Sequence, residues 1–114
     1  DMYAVDKHVV ASGTRLLIPT DIAMSIPRGY VGILKSRSSM ACKYLDTEAG
    51  VIDSDYRGNI AVLLHNHGDT DYVVHKNDKV AQMLIVPIAS LELEETDKLQ
   101  DTSRGTGGFG STGK

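Results

Sequence analysis

The sequence predicts an all-β fold, a sandwich, barrel or jelly roll with one short helix. Three observations predict it. Segments rich in Val, Ile and Leu are short, and turn signals separate them roughly every eight to twelve residues. Asn59-Ile60-Ala61-Val62-Leu63-Leu64 is apolar nearly throughout, as a central strand is. Only Ser38-Ser39-Met40-Ala41-Cys42-Lys43-Tyr44 reads as helix, with hydroxyls at its start that can cap free N–H groups.

In chain order, Val9-Val10 and Arg15 to Pro19 are strand candidates. Asp21 to Ile26 alternates polar and apolar residues, which predicts a half-buried strand. Pro27-Arg28-Gly29 is a turn, and Tyr30 to Leu34 is the next strand. After Asn59 to Leu64, His65-Asn66-His67-Gly68-Asp69 reads as a turn. Thr70 to His75 and Val80 to Val86 are further strands, with Lys76-Asn77-Asp78-Lys79 turning between them. Leu91-Glu92-Leu93-Glu94-Glu95 reads either as an edge strand or as an acidic linker. Met24, Met40 and Met83 read as core, and Cys42 as a small buried residue. No internal repeat is present.

The 114 residues allow one small domain, read as a body over 1–100 and a tail over 101–114. A chain this short hides only about 60–70% of its unfolded surface, so oligomerisation is a natural further source of burial. The net charge of −3 argues against a general nucleic-acid binder, which carries a basic face. One cysteine rules out an internal disulfide and a cysteine metal cluster. The four histidines show no metal-binding spacing, and His65 and His67 read as surface residues flanking a turn. No apolar run is long enough for a membrane span or a signal peptide, so the expectation is an intracellular soluble protein. Residue 1 is Asp rather than Met, which reads as a processed or truncated start.

Three stretches could do chemistry. The tail, Arg104-Gly105-Thr106-Gly107-Gly108-Phe109-Gly110-Ser111-Thr112-Gly113, holds five of the eleven glycines and the only phenylalanine. Glycine at that density opposes helix and strand. Arg104 offers a fork of donors to phosphate oxygens, and successive backbone N–H and hydroxyl groups can wrap an anion. Phe109 offers a face for a base. The tail reads as a lid over a nucleotide phosphate chain or as a plain flexible terminus.

The second stretch is Gly50-Val51-Ile52-Asp53-Ser54-Asp55-Tyr56-Arg57-Gly58, a hairpin with a polar tip. Asp53 and Asp55 lie two apart and share a face on an extended backbone. It is an ordinary polar turn, or one carboxylate holds and polarises a water. The third, Lys35-Ser36-Arg37-Ser38-Ser39, precedes the helix, where unpaired N–H groups and an arginine attract anions. A plain helix cap is the other reading.

Taken together, these segments resemble the homotrimeric dUTPases, a family with five ordered motifs. Asp1-Met2-Tyr3-Ala4 resembles the end of the first and Arg37-Ser38-Ser39 the second. Gly50 to Gly58 matches the third closely. Asn77 to Leu84 resembles the fourth, and Arg104 to Gly113 matches the fifth. The third and fifth are long and specific. The order of all five covers nearly the whole chain.

The resemblance implies a distorted jelly-roll β-barrel assembled as a homotrimer, each active site drawing motifs from all three subunits. It implies hydrolysis of dUTP to dUMP and pyrophosphate, with Mg²⁺ on the triphosphate. Asp53 would be the catalytic residue, positioning the water that attacks the α-phosphorus in line and meeting the sugar 3′-OH. Tyr56 would pack under the deoxyribose and leave no room for a 2′-OH. The backbone from Ala49 through Gly50 and Val51 to Ile52 would pair with the uracil edge. A cytosine reverses donor and acceptor there, and such a site discriminates by roughly 10⁴–10⁵.

By the same resemblance Arg37, Ser38, Ser39 and Gln82 would bind the phosphate region. The closed tail would bring Arg104, Gly108, Gly110, Ser111 and Thr112 to the substrate and stack Phe109 on uracil. Asp1 would touch Mg²⁺ only through water. The implied partner is dUTP, with no nucleic acid and no membrane. The implied location is intracellular, cytoplasmic or nuclear, or viral.

The chain departs from the family pattern in places. Asn77 and Lys79 stand where Gly and Arg are usual; Asn tolerates positive φ and Lys keeps the charge. Asn59 stands where an acidic residue or Gln often follows the glycine, Ser36 replaces a common Pro, and Ser39 a common Gly. Two other readings remain at this level. One is a catalytically silent nucleotide-binding module on the same fold. The other is a dCTP deaminase, for which Glu48 is the one nearby glutamate.

Overall fold

A computed structural model describes residues 1–113. Nine strands form in chain order: β1 (Met2–Tyr3), β2 (His8–Val10), β3 (Arg15–Ile22), β4 (Tyr30–Lys35), β5 (Leu45–Glu48), β6 (Val51–Ile52), β7 (Ile60–Asn66), β8 (Tyr72–Val74) and β9 (Lys79–Pro87). One helical turn, α1 (Ser38–Ala41), lies between β4 and β5. Every pairing is antiparallel and the pairings are nested: β1 with β9, β2 with β8, β3 with β7. One long hairpin rolled up in this way is a jelly roll, here as sheets ordered β1-β9-β4-β6, β2-β8 and β3-β7-β5. No helix among the described residues is long and apolar enough to cross a membrane.

The alternation of β7 builds the core. Ile60, Val62, Leu64 and Asn66 are buried, while Ala61, Leu63 and His65 face the other side of the sheet half-buried. β7 is the middle strand of its sheet, as its apolar run predicts. Val10, Ile18, Leu45, Val74, Val80 and Ala81 complete the core; Met40 is buried in it, and Met24 and Met83 pack against it. The buried Asn66 amide is satisfied: Nδ2 donates to the carbonyls of Val10 and Thr70, and Oδ1 accepts from Gly68 N–H.

Four expectations change. The strand read over Asp21 to Ile26 stops at Ile22, because Asp21 adopts φ 60° and the register with β7 slips there. Only Ile26 of the remainder is buried. The helix is one turn, starting at Arg37 with no side-chain cap, so the serines do not cap it. Cys42 is exposed just past that turn. His65 lies inside β7 rather than in a turn.

Residues 88–113 contain no helix or strand. They carry the chain away from the body. The Cα radius of gyration is 18.8 Å, against about 13 Å for a compact chain of this length.

Candidate active site

The hairpin at Gly50 is built by backbone strain that glycine absorbs. Ala49 and Gly50 take φ 54° and 88° in succession. Gly50 C=O accepts from Leu34 N–H at 2.8 Å, and a Cβ at Gly50 would lie 2.9 Å from the Leu34 carbonyl oxygen. β6 then pairs with β4 through Gly32↔Ile52 and Ile33↔Val51. β6 is the outer strand of its sheet, so its far edge offers free backbone donors and acceptors.

Past Ile52 the chain turns. Tyr56 N–H donates to the Asp53 carbonyl, and Arg57 Nη1 donates to the Ser54 carbonyl at 2.7 Å. The Tyr56 hydroxyl donates to the Asn59 carbonyl at 2.8 Å. Val51, Ile52, Asp53 and Tyr56 line one cavity of about 330 Å³ with Leu17, Asn59, Ile60 and Ala61. Asp53 also borders a second depression of about 610 Å³ beside Arg28, Tyr30, Asp55 and Arg57. The first combines an aromatic face, a free strand edge and a carboxylate, which is what a nucleoside needs.

A basic cluster forms elsewhere. β1 pairs with β9 at Met2↔Ala81, and β9 with β4 at Gln82↔Lys35. This register brings Asp1, Gln82 and Arg37 to one end of the sheet. Asp1 Oδ1 lies 3.6 Å from Arg37 Nε, and its Oδ2 lies 3.7 Å from Lys79 Nζ. Gln82 Nε2 donates to the Ser36 carbonyl at 3.1 Å. Ser38 and Ser39 are exposed, and Arg37 Nη1 reaches Ser39 Oγ at 3.4 Å. Arg37, Ser39 and Lys79 line a cavity of about 470 Å³ together with Asn77, which takes φ 69°. A single helical turn has little dipole, so the charge here comes from Arg37 and Lys79.

The tail is a third, separate part. Gly107, Ser111 and Gly113 N–H groups close successive turns on Arg104, Gly108 and Gly110 carbonyls. Ser103, Arg104, Gly107, Ser111 and Thr112 surround a small cavity of their own. Phe109 is fully exposed.

The structure therefore brings Val51, Ile52, Asp53 and Tyr56 together, with Ala49 and Gly50 at the head of the same strand. It brings Arg37, Ser38, Ser39, Gln82 and Asp1 together at another place. It leaves Arg104, Gly108, Phe109, Gly110, Ser111 and Thr112 apart from both. Asp53 follows the Gly32↔Ile52 pair and so sits beside Val31. Arg37 lies six residues further along, roughly 20 Å at about 3.3 Å per residue.

Sequence reasoning left Lys79 out of the site residues, although its keeping the charge of the Arg usual at that place was the available signal. It also missed the Asn59 carbonyl that holds Tyr56, which no side-chain pattern reveals. Glu48 points away from the hairpin pocket. Its carboxylate is engaged by Arg15 Nε and His65 Nδ1, which holds its pKa below the ordinary 4.5, the His65 hydrogen bond contributing most and Arg15 next. That removes it as a base for deamination.

Comparison with known proteins places this geometry. The dUTPase family model matches residues 1–113. A deoxyuridine 5′-triphosphate nucleotidohydrolase of Anaplasma marginale is 46% identical over 99% of this chain and 80% of its own length. One from Arabidopsis thaliana is 47% identical over 96% of this chain and 66% of its own length. Among solved structures, a mutant dUTPase of Staphylococcus bacteriophage 80alpha with dUpNHpp superposes with a TM-score of 0.94 at 30% identity, covering 99% of this chain and 84% of that one. A mutant dUTPase of phage phi11 of S. aureus, described with a structural Mg(II) ion, superposes at 0.83 and 30% identity over 89% of this chain and 84% of that one. The chain belongs to the dUTPase family, and its reaction is the hydrolysis of dUTP.

Proposed function

We propose that this dUTPase releases dUMP and pyrophosphate at a site assembled from three copies of the chain. The cavity that joins Asp53, Tyr56 and the free edge of β6 carries the reading. Uracil presents alternating acceptors and a donor, which the unpaired outer edge of the strand at Ala49 to Ile52 can match. Tyr56, fixed by its bond to Asn59, lies under the sugar and excludes a 2′-OH. Asp53 accepts a hydrogen bond from the attacking water and aligns it with the α-phosphorus; the catalysis is mostly positioning and charge neutralisation. Arg37 and Gln82, with the hydroxyls of Ser38 and Ser39, hold phosphate oxygens.

The separation of parts supports the assembly. One triphosphate cannot lie against Asp53, the Arg37 cluster and the outstretched tail of a single copy when the first two are roughly 20 Å apart. Supplied by different copies, they converge. The tail then closes Arg104, Ser111 and Thr112 on the outer phosphates and Phe109 on uracil. Leu17, Val51 and Leu84, about half exposed on one copy, supply apolar surface for contact between copies.

Mg²⁺ fits this arrangement. Asp1 is a hard carboxylate donor set among the phosphate-binding cations, and Mg²⁺ takes few carboxylates beside phosphate oxygens and water. Asp1 would hold the ion through water, and the ion would neutralise triphosphate charge. The reading places the protein with the deoxynucleotide pool inside a cell.

The test incubates the purified chain with Mg²⁺ and dUTP, dCTP, dTTP or UTP in turn and follows pyrophosphate. Release from dUTP alone, by a species of trimeric mass, is expected. Release from dCTP or UTP at comparable rates overturns the pocket assignment. A fully active monomer overturns the shared site.

A further inference from the structure

The outward face of the β3-β7-β5 sheet carries a side-chain cluster that the dUTPase reaction does not use. His65 and His67 are two apart at the end of β7, so their rings share one side of the sheet, 3.8 Å apart between centroids. Strand pairing sets Asp46 opposite His65 on β5 and Arg15 opposite it on β3. Glu48, two residues further along β5, is on the same face. Ligand atoms of Glu48, His65 and His67 all lie within 4.8 Å of one another.

We propose that Glu48, His65 and His67 form a binding site for a divalent transition cation of the Zn²⁺ class. Two imidazoles and one carboxylate are the donor set of three-residue zinc sites, with a fourth position left for water. The same set disfavours Mg²⁺, which demands oxygen ligands in octahedral array.

The outer groups are arranged as such sites require. Arg15 takes one oxygen of the Glu48 carboxylate and leaves the other toward His65. Asp46 Oδ2 lies 3.2 Å from His67 Nε2, so a proton carried on that nitrogen faces a carboxylate and Nδ1 is the lone pair left for the ion. Carboxylates that orient histidine ligands in this way raise their basicity. In the ion-free chain a proton on His65 Nδ1 joins it to Glu48; an incoming cation displaces that proton, and binding weakens as acid competes for the ligands. The strands are already paired, so little has to be ordered for the ion to enter. Bound there, it ties β5 to β7 directly before the Ala49 turn.

The test uses untagged chain stripped with chelator and exchanged into excess Mg²⁺, which occupies oxygen-only sites. Co²⁺, a spectroscopic stand-in for Zn²⁺, is titrated in. The expected result is a set of visible d–d bands that saturate at one ion per chain and vanish on adding Zn²⁺, with a rise in Tm. His67→Ala changes an exposed side chain, and a metal-free Tm equal to that of the wild type checks its fold. It should weaken Co²⁺ binding by at least the roughly 10–100-fold seen on loss of an outer-shell partner, whereas His75→Ala should bind normally. No bands and no Tm shift in the wild type would overturn the site. So would Co²⁺ binding unchanged in His67→Ala.

Discussion

Tyr56 is held over Gly58 by its own hydroxyl, which donates to the Asn59 carbonyl at 2.8 Å. The ring lies so close that a Cβ on Gly58 would stand 2.5 Å from the Tyr56 oxygen. Glycine at 58 is thus what lets the ring take its place in the cavity beside Asp53. Gly58→Ala should push the ring out of place and lower kcat/KM for dUTP by up to about 100-fold, since small misplacements cost that much. UTP turnover should fall less, narrowing the selectivity. Tyr56→Phe keeps the ring and should cost about 1 kcal/mol of stability or less. Parallel kcat/KM measurements on dUTP and UTP check both.

Asp53→Asn keeps the shape of the hairpin but weakens the acceptor proposed for the attacking water. Turnover should fall about 10²–10⁴-fold, the usual contribution of a positioned base. Binding of a non-hydrolysable dUTP analogue should be kept, as calorimetry would show. Near-normal turnover would remove Asp53 from its role.

Cutting the chain before Arg104 removes residues that, among those described, make hydrogen bonds only with one another and with Thr102. The Tm should therefore stay unchanged. If the tail closes over the substrate as proposed, turnover of dUTP should collapse. A falling Tm would show that the tail supports the body instead.

Acid should weaken the outer sheet face in a defined direction. Glu48 titrates below its ordinary 4.5 because His65 and, next, Arg15 hydrogen-bond its carboxylate. A carboxyl depressed in the folded chain adds stability that is complete above the unfolded value and lost as the pH falls through the folded one. The Tm gap between wild type and Glu48→Gln should be widest at neutral pH and should close below 4.5. Thermal melts across that range read it directly, and a gap independent of pH would contradict it.

Asn66→Ala should be among the costlier substitutions in the core. It strands the Val10 and Thr70 carbonyls and the Gly68 N–H, all now satisfied by one amide. A loss of about 2–4 kcal/mol is expected from unpaired buried groups, measurable by urea unfolding.

Much of the site was legible because its signals are local. The Gly50 to Gly58 hairpin depends on neighbours in sequence, and its turn glycines and polar tip are written there. Asn77 at φ 69° obeys a single-residue preference. The Asp21 to Ile26 strand misled because alternation says nothing of where a register slips. Cys42 misled because small apolar residues are usually buried, while one turn of helix leaves it outside.

Turn chemistry, the central apolar strand and the all-β class are determined by the sequence alone, since each rests on patterns a few residues long. Which groups meet was decided only by the tertiary pairing of strands, the nested set of β1 with β9, β2 with β8 and β3 with β7 together with β4 beside β9 and β6 and β5 beside β7. With β4 beside β9 it sets Asp1 against Arg37 and Lys79, and β5 beside β7 sets Glu48 against His65 and His67. The pairing of β6 with β4 holds Asp53 and Arg37 at opposite ends of β4, apart within one copy. Such distances follow from register between remote segments, and register is a property of the folded barrel.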